Sequence, residues 1–255
     1  MRLVDEERIA TATASLTQAL GVPHLRDLSF LDVGCGSGLF SLAARRLGAR
    51  VRSFDFDAAS VAASTALREA FAPGSDWPIE QGSILDSAYT AALGRFDVVY
   101  AWGVLHHTGQ MWPAVEAAAD LVAPGGRLFI SIYNDQGRAS RGWLRVKRQY
   151  NRSGRVGRLL LLWLSALYVG KGWPLRVLLK GLRRNRGATL AKPAPRGRGM
   201  SRRHDLVDWV GGYPFEVAKP EEVFRFVTAR GFELRYLTTC GPGLGCNEYV
   251  FQRTG

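Results

Sequence analysis

Between Leu31 and Gly38 the chain reads LDVGCGSG, an apolar run that stops on three alternating glycines and leads directly into a helix-period stretch. A strand that turns into a helix within a few residues leaves bare N–H groups at the helix start, and glycine lets the turn be tight and a ligand come close. A glycine turn without a ligand has the same local signature, so the surroundings decide its meaning.

Those surroundings alternate. Short runs rich in β-branched or aromatic residues occur at Leu28–Val33, Arg50–Phe54, Trp77–Gln81, Phe96–Ala101 and Arg127–Tyr133. Between them, Ser37–Leu47, Asp57–Phe71 and Met111–Val122 carry apolar residues at helical spacing, with a shorter crossover over Asp86–Leu93. This is the pattern of a doubly wound α/β sheet. Near the C-terminus a helix is expected over Pro220–Arg230, then strands Phe232–Thr239 and Glu248–Arg253 joined by CGPGLGCN, a hairpin that closes the sheet.

Charge divides the chain differently. Its net charge is +12, yet the segment from Gln136 to Arg203 holds 19 of the 34 Lys and Arg residues and no Asp or Glu, leaving 15 basic against 22 acidic residues elsewhere. One basic block on an acidic body points to a segment-specific anionic partner: lipid, phosphate-bearing ligand or RNA. Within the block Leu159–Gly170 (LLLLWLSALYVG) is too short for a membrane span, which takes about 20 residues. Flanked by Arg152, Arg155, Arg158, Lys171, Arg176 and Lys180, and followed by WPLRVLLKGLRR, it reads as an interfacial amphipathic element, and equally as a helical lid or a subunit contact. Asn185–Gly199 reads as a mobile loop. The expected domains are therefore a core over 1–135, a basic, apolar helical insertion over 136–203 and a return to the core sheet over 204–255. Three cysteines, Cys240 and Cys246 among them read as reduced thiols, and an N-terminus without a signal-peptide core place the expected protein in the cytoplasm, in contact with a membrane through 140–185 if the block lies on one. The His and Cys residues show no metal-ligand spacing, so no metal is expected.

Asp55 closes the second strand about twenty residues after the glycines, where a carboxylate can accept both hydroxyls of a ribose. The loop lacks the third glycine of the dinucleotide fingerprint, which favours another nucleoside. The series LDVGCGSG, FDFD, QGSILD, FDVVYAWGVLHH and LVAPGGRLFISIY resembles the ordered motifs of class I S-adenosyl-L-methionine-dependent methyltransferases over about residues 28 to 135, and PGGRLFISIYND is similar to the fifth-strand segment of the ubiquinone-biosynthesis O-methyltransferases. The resemblance implies a Rossmann-like, doubly wound seven-stranded sheet, mostly parallel with an antiparallel C-terminal hairpin strand. It assigns Asp32, Gly34, Cys35, Gly36 and Gly38 to the methionine end of S-adenosyl-L-methionine, Asp55 to its ribose, Ser83 and Ile84 to its adenine, and Trp102 to the same site. Where relatives carry Asp for the adenine amino group this chain has Ser83, with Asp86 nearby as a substitute; Asp57 is read as a helix cap.

His106 and His107 follow the fourth strand, on the side where the methyl group would lie, and an imidazole there can take the proton of an attacking hydroxyl. Relatives orient such a base with an Asp on the fifth strand; that position holds Ile132, so Asp135 is the candidate substitute. Tyr133, His204 and Tyr213 are candidate substrate contacts, the latter two on a lid. Three functions compete. The first is methyl transfer to a hydroxyl of a lipophilic, prenylated or natural-product molecule, the block lying on an anionic membrane. In the second the methyl acceptor is RNA, against which the run LLLLWLSAL argues, or a phosphate-bearing molecule such as a prenyl diphosphate. The third is a non-catalytic membrane- or partner-binding protein on a cofactor fold.

Overall fold

The computed structural model describes residues 4–169, 207, 209–241 and 245–255. Two compact units make up the chain, one of residues 1–136 with 216–255 and one of residues 137–215.

The first unit opens with α1 (Glu6–Leu20), an element absent from the strand-and-crossover expectation. Its signals are local: Asp5 caps the first turn through the N–H of Arg8, Gly21 ends the helix with φ of 64°, and Ile9, Ala12, Leu16, Ala19 and Leu20 form the buried stripe. The sheet follows through β1 (Ser29–Val33), α2 (Leu39–Arg46), β2 (Arg50–Asp55), α3 (Ala58–Phe71), β3 (Ile79–Gln81), α4 (Ser87–Leu93), β4 (Phe96–Trp102), a 3₁₀ turn over Leu105–His107, α5 (Met111–Asp120) and β5 (Val122–Tyr133). After the second unit come α8 (Pro220–Thr228), β6 (Phe232–Thr238) and β7 (Cys246–Arg253).

The strands lie in the order β3-β2-β1-β4-β5-β7-β6. β3 to β5 are mutually parallel and β7 runs antiparallel to both its neighbours, as the family resemblance implied. Both faces are covered by helices, and the side-chain alternation sorts each strand between two cores. Leu31, Val99, Ile130 and Tyr249 face one cluster, whereas Phe30, Val98, Tyr100, Phe129 and Val250 face the other. Chain order reverses between β1 and β4, so their carboxyl ends open a crevice of the kind in which α/β sheets bind ligands.

Within the second unit α6 (Arg138–Arg152) and α7 (Arg155–Val169) pack as a helical pair. The greasy run forms the body of α7, and no described helix is long and apolar enough to cross a membrane. Lys147 is fully buried on α6: its ammonium donates to the carbonyl of Trp209 and lies 4.3 Å from the Trp209 ring and 4.6 Å from that of Phe215. Burial lowers its pKa from 10.5 to about 8. Trp173–Arg184, Asn185–Gly199, His204 and Asp205 lie outside the described residues.

Candidate functional site

The glycine loop follows β1 as expected, but α2 begins only at Leu39, because Gly38 holds the turn open as a left-handed N-cap. The N–H groups of Gly34 and Cys35 both donate to the carbonyl of Phe54. Gly34 has φ of +70°, and a Cβ on it would stand 2.5 Å from a methyl of Val104, so only glycine lets the loop lie against the β4 turn. At Gly36, with φ of +55°, a Cβ would meet nothing within 4 Å, leaving the clear approach to backbone that a ligand needs.

Asp55 stands at the carboxyl end of β2, half-exposed, with one oxygen accepting the N–H of Gly36 at 2.8 Å and the other that of Asp57 at 2.9 Å. It therefore stiffens the loop while keeping lone pairs for a diol. Asp57 caps α3 through Ala59 and Ser60, and the Ser60 hydroxyl with these N–H groups holds its pKa below the ordinary range. Asp86 caps α4 through Ala88 and Tyr89.

Asp32 is buried beneath the loop, where it accepts the hydroxyl of Ser41. Ser41 in turn shares a 2.8 Å bond with Ser53, whose hydroxyl accepts the indole N–H of Trp77 at 2.7 Å. Burial raises the Asp32 pKa to about 7 despite the Ser41 bond. Cys35 is also buried, 3.3 Å from the Ser64 hydroxyl, and burial first, then the nearby Asp32 charge, pushes its thiol up to about 12. It is a neutral thiol, and the loop presents its backbone.

Ser83 accepts the N–H of Leu85. Ile84 is 5% exposed and joins the core, and it lines a cavity of about 640 Å³ that also borders α4 and α5. Trp102 donates its indole N–H to Glu248 on β7 at 3.1 Å. An aromatic that sequence reading passed over, Phe56, follows Asp55 with its side chain 78% exposed.

Beyond β4 the two histidines meet Tyr133. The His106 ring is fully buried, 4.0 Å from the Tyr133 ring and 4.5 Å from that of His107, while Tyr133 meets the half-buried His107 edge-on at 5.3 Å. Nδ1 of His106 donates to the Ser131 carbonyl at 3.2 Å, since a carbonyl only accepts, a bond that in a neutral ring leaves the lone pair on Nε2. Ser131, buried and also missed in the sequence, accepts the Gly103 N–H through its hydroxyl. Asp135 is half-buried at the end of β5, its N–H bonded to the Ala218 carbonyl. Tyr213 is exposed and belongs to the second unit, and His204 lies outside the described residues.

The methyltransferase-domain family profile matches residues 4–176, well over half of the chain. The ubiquinone biosynthesis O-methyltransferase of Methylobacterium sp. (strain 4-46) is 35% identical over 117 residues, 45% of each chain. That of Cronobacter sakazakii (strain ATCC BAA-894) is 36% identical over 114 residues, 45% of this chain and 44% of its own. The chain thus spans less than half the length of the curated relatives it matches. Among solved structures, magnesium protoporphyrin IX methyltransferase from Synechocystis PCC 6803 with bound S-adenosylhomocysteine shares the fold at a TM-score of 0.55 and 16% identity, over 96% of this chain and 83% of that one. An N-methyltransferase from Bradyrhizobium japonicum WM9 does so at 0.55 and 15%, over 98% and 99%. The glycine loop, its open face at Gly36 and the acceptors of Asp55 fit S-adenosyl-L-methionine, the methyl donor whose demethylated product is bound in the Synechocystis structure. With its order of strands, its cofactor loop and its family match in agreement, the chain belongs to the methyltransferase-domain family, in the class I fold whose methyl donor is S-adenosyl-L-methionine.

Proposed function

We propose that the protein transfers the methyl group of S-adenosyl-L-methionine to a hydroxyl of a lipophilic small molecule, with His107 as general base. One observation carries this reading: Gly34 lies against Val104, the residue that opens the histidine turn, so the cofactor loop and the histidines share one end of the sheet. When bound, S-adenosyl-L-methionine supplies a methyl made electrophilic by its positive sulfur. The protein positions the acceptor and removes its proton as the new C–O bond replaces the C–S bond, and no covalent enzyme intermediate is needed. His107 is the reachable imidazole of the pair, and His106, fully buried and held by Ser131, orients it. Asp55 serves the ribose, and the exposed ring of Phe56 offers a face for the base.

The lipophilic acceptor is inferred from the second unit. On α7, Val156, Leu159, Leu160 and Trp163 recur at helical spacing with side chains 56 to 82% exposed, beside the exposed Arg152, Arg155 and Arg158. An apolar stripe edged with arginine suits an anionic membrane surface, where a lipophilic acceptor would be met. The test is labelled-methyl transfer from S-adenosyl-L-methionine to a cell extract split into lipid, small-molecule and RNA fractions, together with vesicle flotation of wild type and Leu160→Glu. Label in the lipid fraction and loss of flotation in the variant are expected; label in RNA, or flotation unchanged, would reject the lipophilic acceptor.

A further inference from the structure

A segment far away in the chain holds the histidine turn. Glu216 donates its backbone N–H to the carbonyl of His106 at 3.0 Å, and one oxygen of its carboxylate accepts the N–H of Met111 at 3.2 Å. Those bonds grip both sides of the stretch from His106 to Met111. Two residues on, Ala218 donates to the carbonyl of Tyr133 at 3.0 Å and accepts from the N–H of Asp135 at 3.1 Å, forming a parallel bridge with Asn134. The short run 216–218 therefore spans the histidine turn and the end of β5, whose Tyr133 ring packs on both imidazoles.

The Met111 bond stands in for a missing local cap. Met111 opens α5, and its N-cap residue, Gln110, makes no side-chain capping bond. A carboxylate accepts such an N–H and also suits the positive end of the helix. Local caps are ordinarily supplied by the residue next to the helix. Supplying this one from Glu216 ties α5 and the histidine turn to the β5 end as a single piece. The second carboxylate oxygen, Oε2, is buried and accepts no hydrogen bond among the described residues. Leaving a buried acceptor unmet is destabilising, because its desolvation is not offset. A group kept at that cost calls for a reason beyond the helix cap.

We propose that Glu216 is a positioning residue for the histidine turn, holding the pose in which His106 donates through Nδ1 to Ser131 and His107 faces the methyl acceptor. This rests on the reading of the turn as the proton-accepting element, but its test does not depend on turnover. Long-range ¹H–¹⁵N NMR of the imidazoles, with S-adenosyl-L-homocysteine bound, reports which ring nitrogen carries the proton, and single His→Gln variants assign the signals.

In the wild type His106 is expected as the Nδ1–H tautomer. In Glu216→Met, of similar length but without an acceptor, the Nδ1–H signal should fall by about half or more, because the hydrogen bond that selects the tautomer loosens. Glu216→Gln keeps an acceptor for Met111 and should restore the wild-type pattern. Both variants should bind S-adenosyl-L-homocysteine within about threefold of wild type, showing the cofactor loop intact. A wild-type tautomer pattern in Glu216→Met, or equal disturbance in Glu216→Gln, would overturn the proposal. Should Glu216→Met not fold, Glu216→Asp, which retracts the acceptor by one methylene, is read against the same two outcomes. Failure of the base reading would show separately, as full methyl transfer by His107→Ala.

Discussion

The carboxylate of Asp55 accepts the N–H of Gly36 across 2.8 Å, so the residue assigned to the ribose also braces the loop assigned to the methionine end. Removing it should act twice, on a ligand contact and on the shape of the loop. Asp55→Ala is expected to weaken S-adenosyl-L-methionine binding by at least about tenfold in calorimetric titration. Asp55→Asn keeps an acceptor for Gly36 and should lose less. Equal losses in the two variants would mean that the brace contributes nothing.

Gly34 makes a second, sharper case. A methyl there meets Val104 at 2.5 Å while the backbone holds φ of +70°, so Gly34→Ala should abolish cofactor binding and lower Tm. Adding Val104→Ala removes the two nearest methyls and should recover part of the loss, leaving the left-handed strain of about 1 to 2 kcal/mol. No recovery in the double variant would show that strain, not the clash, decides the site.

For the histidines, His107→Ala is expected to lower the transfer rate by about 10²- to 10⁴-fold, the usual contribution of a positioned base. His106→Asn leaves an amide N–H able to reach the Ser131 carbonyl and should lose less. The ordering is checked by single-turnover transfer to the labelled acceptor fraction; the reverse ordering would exchange the two roles.

Asp32 makes stability depend on pH. Its carboxyl carries a folded-state pKa of about 7 against an ordinary 3.8. A carboxyl raised in this way contributes stability that is complete below about pH 4 and is lost as the pH climbs through 7. Urea unfolding of Asp32→Asn beside wild type should show the variant gaining over this window, by up to about 4 kcal/mol. A difference that does not change between pH 4 and 8 would contradict the raised pKa of the buried carboxyl.

Lys147 behaves oppositely in the second unit. Its pKa falls from 10.5 to about 8 through burial, so below pH 8 the fold carries the cost of a buried ammonium, and that cost fades between pH 8 and 10.5. The stability of wild type relative to Lys147→Met should therefore rise by up to about 3 kcal/mol over that interval. Unfolding curves of the two proteins at pH 7 and 10.5 measure it directly.

Much of this was written in one dimension. Strand and helix periods, the Gly34 to Gly38 junction, Asp55 at the end of a strand and Asp57 before a helix are short-range features, since each depends on the neighbours that alternate or cap beside it. The sheet with its single antiparallel strand followed from the family resemblance those motifs carried. The N-terminal helix was legible too, in Asp5, Gly21 and the apolar stripe of Ile9, Leu16 and Leu20, but the alanines and threonines between them blur the apolar period on which such readings depend.

What the chain could not announce along its length is which distant groups meet. Ser131 was an inconspicuous strand serine until the parallel pairing of β4 with β5 brought it under His106, and Asp32 became a core residue with a raised pKa only once Ser41 and the helices closed over it. Glu216 reaches Met111 and His106 because the chain returns past the end of β5 after its second unit. Local sequence selects elements through backbone sterics and side-chain period, whereas burial, desolvation and long-range hydrogen bonds exist only after packing. The cofactor loop belongs to the first kind of information, and the setting of its histidines to the second.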